Sequence, residues 1–302
     1  MTQQLAQIID NTRSASYHPI FNVMPKMNRL HLLEKSNEAE VVEFLSVRPV
    51  HTVVMKSFIQ DNGLESADNR GKFYGYRGSN GSLEGVALIG HTTLIEARSD
   101  DSLLAFALAA KVSETPLHIM MADGNTIEKF WKFYADANQK PRLTCTELLF
   151  ELNFPFLVQK CKWDVRNAKA AEIEQIAEAH AEVAFIESGV NPLEKDREGF
   201  LRRTLKRIEK GRTFVVFENG KLVFKADIVA ETSDVVYLEG IYVAPEYRGQ
   251  NVGSDCLAEL SLQLMDRVAN ICLLSNVEFK GAHRSFAKAG FKHTDSCQTI
   301  FV

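Results

Sequence analysis

The stretch PEYRGQNVGS, Pro245 to Ser254, follows the apolar run VVYLEGIYVA and precedes a segment with Leu257, Leu260 and Leu264 on one helical stripe. A loop leading from a strand into a helix turns successive backbone N–H groups toward one point, and the positive end of the helix reinforces them. The chemistry this suits is capture of a phosphate or pyrophosphate. Gly249 and Gly253 let a ligand approach the main chain because no Cβ intervenes, and Arg248 either supplies charge or packs beneath the loop. Asn251 stands where a further glycine is expected. If that position takes a positive φ, Asn is the side-chain-bearing residue that tolerates it best, and its amide is able to donate to a phosphate oxygen. On spacing alone, an ordinary strand-to-helix turn is the alternative. A nucleotide site of the familiar kinds is not, because neither a Walker lysine motif nor GxGxxG is present.

The elements that must position this loop are readable on either side of it. RTFVVFENGKLVFKADIV predicts two strands around Asn219-Gly220, a type I′ hairpin signal, and VVYLEGIYV predicts a third strand. Upstream, KCKWDV reads as a strand and Asn167 as the N-cap of a helix with Ile173, Ile176, Ala177, Val183 and Ala184 on one face. A second helix carries Leu201, Leu205 and Ile208. Downstream, ICLLSN reads as a strand, residues 282–289 as a short helix with Gly290 as its C-cap glycine, and HTDSCQTIFV as a last strand. The order is strand, two helices, three strands, helix, strand, helix, strand.

The first half echoes that order weakly, which suggests a divergent internal duplication. RLHLL is a short strand, helices follow through Ala39–Phe44 and after Pro49, and KFYGYR and LEGVALIG flank GSNG as a hairpin. A helix around Leu103–Val112, a strand LHIMMA, an amphipathic helix with Ile127, Phe130, Trp131 and Tyr134 inward, and a strand from Leu143 to Leu152 complete it. Residues 1–25 have little periodicity and read as an arm, 26–155 as a first domain ending at Asn153-Phe-Pro155, and 156–302 as a second. The fold class is α/β with a mixed α+β sheet.

A chain of 302 residues suits two domains of roughly 150 each. Its 45% hydrophobic and 25% charged residues are those of a folded soluble protein, and a net charge of −4 argues against a nucleic-acid surface. The charge fits weakly with a cationic substrate. No apolar run is long enough to span a membrane or to serve as a secretory leader, so a cytoplasmic location is expected. Five widely spaced cysteines with no CxxC pair, and eight histidines with no HxxxH spacing, point to reduced core thiols and no metal.

VAPEYRGQNVGSDCL resembles the acyl-CoA motif of the GNAT acetyltransferases, Arg/Gln-x-x-Gly-x-Gly/Ala, with Arg248 and Gly253 at its first and last positions. NVEFKGAHRSFAKAGF resembles the family's second landmark, an Asn strand end, a short helix and a terminal Gly-Phe, and the element order of 160–302 matches as well. FIESGVNP, GRTFVVF, VFKADI and GIYVAPEYRG resemble a two-domain subgroup in which a poorly characterised domain precedes the acetyltransferase domain. RPVHTVVMKSFIQDNGL and KFYGYR resemble parts of that first domain. The resemblance implies a tandem GNAT-like architecture with a degenerate first copy.

It also implies site residues. The strand before the loop is splayed from its neighbour in this family, so the backbone of Ile241 and Val243, with Tyr242 between them, is expected to meet the pantetheine arm. The amides of Arg248, Gly249, Gln250, Asn251, Val252, Gly253 and Ser254 are expected to hold the pyrophosphate, and Asn276 to help hold cofactor or substrate. The co-substrate is acetyl-CoA or another acyl-CoA, and the acceptor is an amine of a small molecule or peptide. Neither nucleic acid, membrane nor metal takes part.

Direct attack of an amine on the thioester needs a base. Glu239, two residues before Ile241 and expected on the same strand face, is the candidate; a solvated or salt-bridged strand carboxylate is its alternative. The family's usual proton donor, a Tyr four residues before the terminal Gly, is here Phe286, which can line a pocket but cannot donate. Ser285, Tyr242 or water are the substitutes. Where a duplicated loop would fall in the first half the chain reads RSDDSLL, whose two Asp would repel a pyrophosphate. The expected activity is an N-acyltransferase, and the alternative is a catalytically weak acyl-CoA sensor. Neither the acceptor nor the oligomeric state is legible.

Overall fold

Asn219 and Gly220 take positive φ, 51° and 76°, the left-handed pair that a type I′ hairpin requires. They join β8 (Thr213–Glu218) to β9 (Lys221–Glu231), and β10 (Val235–Val243) returns antiparallel along β9. In the computed structural model, which describes residues 27–154 and 160–302, this meander is one end of a 12-stranded sheet. The expected N-terminal arm and the Pro155 end of the expected boundary lie outside the described residues.

The other end is built the same way. β1 (Leu30–Leu32), β2 (Gly71–Arg77), β3 (Leu83–Gly90) and β4 (Thr92–Ala97) run antiparallel in order, and β5 (Ile119–Asp123) pairs parallel with β4. LEGVALIGHTTLIEA is thus two strands broken at Gly90-His91. In the second half β11 (Asn270–Asn276) pairs parallel with β10. The repeat expected from element order is therefore present in the topology.

The centre of the sheet departs from two separable copies. Each half ends in a long strand, β6 (Leu143–Asn153) and β12 (Lys292–Phe301), and the full order is β1-β2-β3-β4-β5-β12-β6-β11-β10-β9-β8-β7. β12 lies antiparallel between β5 and β6, while β6 lies antiparallel between β12 and β11. Each half thus completes its sheet with a strand of the other.

Helices cover both faces. α1 (Glu38–Ser46), α2 (Val53–Asn62), α3 (Asp100–Lys111) and α4 (Thr126–Tyr134) belong to the first half. α5 (Ile173–Ser188), the short α6 (Pro192–Lys195), α7 (Arg197–Glu209), α8 (Val252–Met265) and α9 (Lys280–Lys288) belong to the second. On one face Val236 and Leu238 pack with Val252, Leu257 and Leu260 of α8. On the other, Val53 of α2 packs with Leu149, Ala230, Tyr237 and Cys272. α2 is therefore a first-half helix lying on second-half strands. Lys56 reaches Asp234 at 3.1 Å, Ser57 Oγ accepts from the Glu231 amide at 3.1 Å, and Arg212 pairs with Asp61 at 2.5 Å.

Two local expectations are corrected. Only Arg166–Asn167 forms the first strand of the second half, β7. In KCKWDV the Cys161 thiol instead accepts from the Trp163 amide at 3.4 Å, folding the segment on itself. Asn167 caps no helix: its amide donates to the Gly211 carbonyl at 2.7 Å. α5 begins after a 3-10 turn (Ala170–Glu172), where Glu172 accepts from the Lys169 amide at 2.8 Å and pairs with Arg166 at 2.6 Å. Gly290, at φ 101°, does follow the end of α9, and all five cysteines are free. Among the described residues no helix is long and apolar enough to cross a membrane.

Candidate functional site

β10 and β11 pair only from Val235↔Asn270 to Leu238↔Leu273. Beyond Leu238 they separate, while β11 keeps its pairing with β6 as far as Asn276↔Glu147. The cause lies on the other edge of β10. Between Glu239↔Asp227 and Tyr242↔Lys225 three steps of β10 oppose two of β9, a β-bulge. Gly240 takes φ 58°, and its carbonyl accepts from Lys225 Nζ at 3.1 Å. A side chain there would place its Cβ 2.8 Å from that ammonium.

The bulge resets the alternation of the strand. Tyr237 and Glu239 face the α2 and α5 side. Ile241 and Val243 then fall with Val236 and Leu238 on the α8 side, and Tyr242 packs with Ile176 and Val215 beneath α5. Glu239 and Ile241, expected on one face, are on opposite faces. The Ala244 amide donates to the Val223 carbonyl of β9 at 2.9 Å, so the alternating main-chain groups of Val243 and Ile241 point into the gap. One is already shared, since Arg248 Nε donates to the Val243 carbonyl at 2.8 Å.

On the α8 side the gap opens into a cleft of about 520 Å³. After a 3-10 turn (Pro245–Tyr247), Gly249 and Asn251 take φ 75° and 63°, both left-handed. Asn251 therefore occupies the conformation that its side chain makes accessible. The first helical bond of α8 runs from the Asp255 amide to the Asn251 carbonyl at 2.9 Å, so the amides of Val252, Gly253 and Ser254 precede the ladder. Gly253 lies on the cleft floor, where an added Cβ would come 3.1 Å from Val243 Cγ2.

Side chains of the loop are used locally. Arg248 turns back to the Val243 carbonyl and to Glu182 at 3.0 Å and stays half-exposed. Gln250 donates to the Glu246 carbonyl at 2.8 Å, and Ser254 Oγ to the Asn251 carbonyl at 2.8 Å. Asn251 Oδ1 accepts from Lys288 Nζ at 2.8 Å.

The opposite wall is α9, which presents Arg284, Ser285, Phe286 and Lys288. Phe286 is 5% exposed and meets Phe150 edge-on at 5.5 Å, so it is core as much as wall. Arg284 and Lys288 were not singled out from sequence. Their signal was the i, i+4 spacing of two cations on a helix following the loop. Of the expected cofactor residues, Ile241, Val243, Arg248, Gly249, Asn251, Val252, Gly253 and Phe286 line the cleft. Four do not: Gln250 and Ser254, whose side chains bond within the loop, and two that are turned elsewhere. Tyr242 is on the opposite face, and Asn276 Oδ1 accepts from the Glu278 amide at 3.0 Å in the turn that leads to α9.

On the other face of the strand, beside the gap, Glu239 is open to solvent although protein groups crowd round it. Tyr237, 4% exposed, donates its hydroxyl to Glu239 Oε1 at 2.6 Å. Desolvation by the surrounding protein groups raises the pKa of Glu239, and the Tyr237 hydrogen bond opposes that rise. Two further carboxylates lie within electrostatic reach of it, Glu187 being exposed as well. Glu147 on β6, raised chiefly by burial, accepts from Thr299 Oγ1 and from the Cys297 thiol at 3.9 Å. Glu187 on α5 is pushed up to about 8 by desolvation and then by the charges of Glu239 and Glu147. Neither was visible as a site residue, because more than fifty residues separate each from Glu239.

Beneath the bulge, Lys225 and Asp227 form a fully buried pair at 2.5 Å, joined by Arg207 at 3.0 Å and Thr213 Oγ1 at 2.8 Å. These cations hold Asp227 well below the usual carboxylate range against the cost of its burial. His180 beside them is lowered to about 3, first by burial and then by the Lys225 charge. Among the described residues no cluster of His, Cys, Asp and Glu is arranged to hold a metal ion.

Residues 209–293 match the family model of the acetyltransferase (GNAT) domain. No curated protein is similar to the chain by sequence. Among solved structures, a GNAT-family acetyltransferase from Colwellia psychrerythraea superposes with a TM-score of 0.59 at 12% identity, covering 90% of this chain and 99% of that one. A GCN5-related N-acetyltransferase from Sphaerobacter thermophilus gives 0.60 at 11% identity, with 90% and 94% covered. A tandem GNAT protein from the clavulanic acid biosynthesis pathway gives 0.55 at 11% identity, with 90% and 97% covered. At these identities the likeness is one of fold, and it extends over both halves. The chain thus carries a GNAT acetyltransferase domain in its C-terminal half, within a fold that it shares with tandem GNAT proteins.

Proposed function

We propose that the protein is an acyl-CoA-dependent N-acyltransferase that moves an acetyl group from acetyl-CoA to an amine of a small molecule or peptide. The observation that carries this reading is the gap between β10 and β11, with an anion cradle on one side and the Glu239 carboxylate on the other. The residues present suit CoA. The amides of 252–254 precede the helical ladder of α8, Arg284 and Lys288 face them, and the main chain of Ile241 and Val243 is turned to the gap for the pantetheine arm. When bound, acetyl-CoA supplies a thioester whose acyl carbon is open to attack by a neutral amine.

Glu239 takes the proton of the incoming ammonium, directly or through water. Its raised pKa makes it a better base near neutral pH than an ordinary glutamate. Tyr237 holds the carboxylate in place. The acyl-transfer unit is 156–302, and the described residues of the 26–155 unit complete its sheet with no second cradle among them. In the first half the helix that connects the parallel strands β4 and β5 starts from the Ser99 N-cap with Asp100 and Asp101 in its first turn, a poor setting for a pyrophosphate.

Phe286 favours a second reading, in which acyl-CoA binds and is sensed without turnover, because no hydroxyl stands at that position. The two readings separate when the purified protein is mixed with acetyl-CoA and a panel of amines and free thiol is followed. Amine-dependent thiol release supports transfer. Tight acetyl-CoA binding with no release across the panel supports sensing.

A further inference from the structure

A second cavity, about 80 Å³, lies under the start of α2 at the centre of the sheet. That is several times the ~10–15 Å³ that one water needs. Its walls are mainly apolar, among them Val53 and Val54 of α2, Leu149 of β6, Leu274 of β11 and the ring of Tyr237. Polar groups at its rim are already matched: His51 pairs with Asp295 at 2.9 Å, and Arg48 pairs with Asp123 at 2.5 Å and Glu96 at 3.1 Å. An ion gains little there, and an apolar group gains by leaving water.

The cavity adjoins the carboxylates through shared residues. Tyr237 lines it with its ring and donates its hydroxyl to Glu239, two residues on along the same strand face. Leu149 lines it, and Glu147 stands two residues away on the same face of β6. Cys297 lines it, and its thiol donates to Glu147. Cavity and carboxylate shelf are thus successive pleats of one sheet face, roughly 7 Å apart.

We propose that this cavity is the tail subsite of the acceptor, and that the acceptor is a primary amine joined by a short linker of two or three carbons to a compact hydrocarbon group such as a phenyl ring. The ammonium rests on the carboxylate shelf and the hydrocarbon group fills the space behind Tyr237. The first half thereby has a role in acceptor choice, since α2 forms the roof. This inference rests on the transferase reading above.

The test compares phenethylamine and 3-methylbutylamine with ethanolamine and putrescine at saturating acetyl-CoA, following thiol release in the wild type, Val54→Trp and the milder Val50→Phe. Phenethylamine is expected to exceed ethanolamine in kcat/KM by about tenfold or more. Val54→Trp is expected to remove that advantage while acetyl-CoA affinity, measured by calorimetry, stays as in the wild type. An equal rate for apolar and polar amines, or an advantage that survives both variants, overturns the subsite. If no amine releases thiol, calorimetry of phenethylamine against the CoA-loaded protein decides separately. Binding that Val54→Trp abolishes keeps the cavity as a ligand site and ends the transferase reading, whereas no binding to the wild type ends the cavity proposal.

Discussion

The ammonium of Lys225 donates to the Gly240 carbonyl at 3.1 Å while it holds Asp227 at 2.5 Å, so one fully buried cation fixes both the ion pair and the bulge that opens the gap. Asp227 in turn binds Arg207 of α7 and Thr213 of β8, which ties the bulge to the two elements beside it.

Lys225→Met leaves Asp227 buried with less compensation and the Gly240 carbonyl without its donor. Breaking a buried pair from one side costs about 3–5 kcal/mol. Urea unfolding of the variant is expected to give a loss of that order, and Gly240→Ala a smaller one of about 1–3 kcal/mol from its left-handed backbone. Wild-type stability in Lys225→Met would remove the pair from its place under the bulge.

Glu239→Gln is expected to lower kcat by roughly 10²–10⁴ with acetyl-CoA affinity unchanged. Tyr237→Phe removes a hydrogen bond that favours the carboxylate anion, so the pKa of Glu239 rises further and the acid limb of the kcat–pH profile moves to higher pH. A limb that stays in place in Tyr237→Phe excludes Glu239 as the titrating base.

Gly253→Glu puts a charged side chain on the floor of the anion cleft, within 3.1 Å of Val243 at its Cβ. Acetyl-CoA binding by calorimetry is expected to be lost, with the fold intact by circular dichroism. Lys288→Glu acts more mildly, weakening binding and reducing its dependence on salt. Unchanged affinity in Gly253→Glu places the cofactor elsewhere.

Stability is expected to depend on pH through two groups of opposite sign. His180, near 3 folded and 6.5 as a free side chain, binds fewer protons in the native state, so its contribution is full above 6.5 and is lost as pH falls toward 3. Glu187, near 8 folded and 4.5 as a free side chain, binds more, so its contribution is present at acid pH and is lost as pH rises from 4.5 to 8. Between 4.5 and 6.5 the two offset each other. Above 6.5 Glu187 acts without the opposing His180, and Glu187→Gln is expected to flatten the decline in thermal midpoint between pH 6.5 and 8.

What was legible in the sequence was what neighbours along the chain decide. The Asn219-Gly220 turn, the strand-loop-helix of residues 235–265 and the Gly290 cap each depend on residues a few positions apart. Asn251 is of this kind too, since its left-handed φ needed only the residue type. The bulge was half visible, as a glycine inside a strand pattern, but its effect on the faces of Glu239 and Ile241 depends on pairing with β9. The carboxylates Glu147 and Glu187 were hidden because tertiary structure alone brings β6, α5 and β10 together. The interleaving of β6 and β12 was hidden for the same reason. Either strand pattern was clear, and nothing local says which neighbour it chooses.

That interleaving constrains how the chain can fold as it is made. Until strand 292–301 emerges from the ribosome, β5 and β6 have no partner between them, so the first half waits with two unpaired edges while nearly all of the second is translated. Closure of both sheets is then a single late event that joins residues about 150 or more apart in sequence. Such pairing is slow, and a chain stalled before residue 292 exposes the sheet edges best suited to pairing with a second molecule.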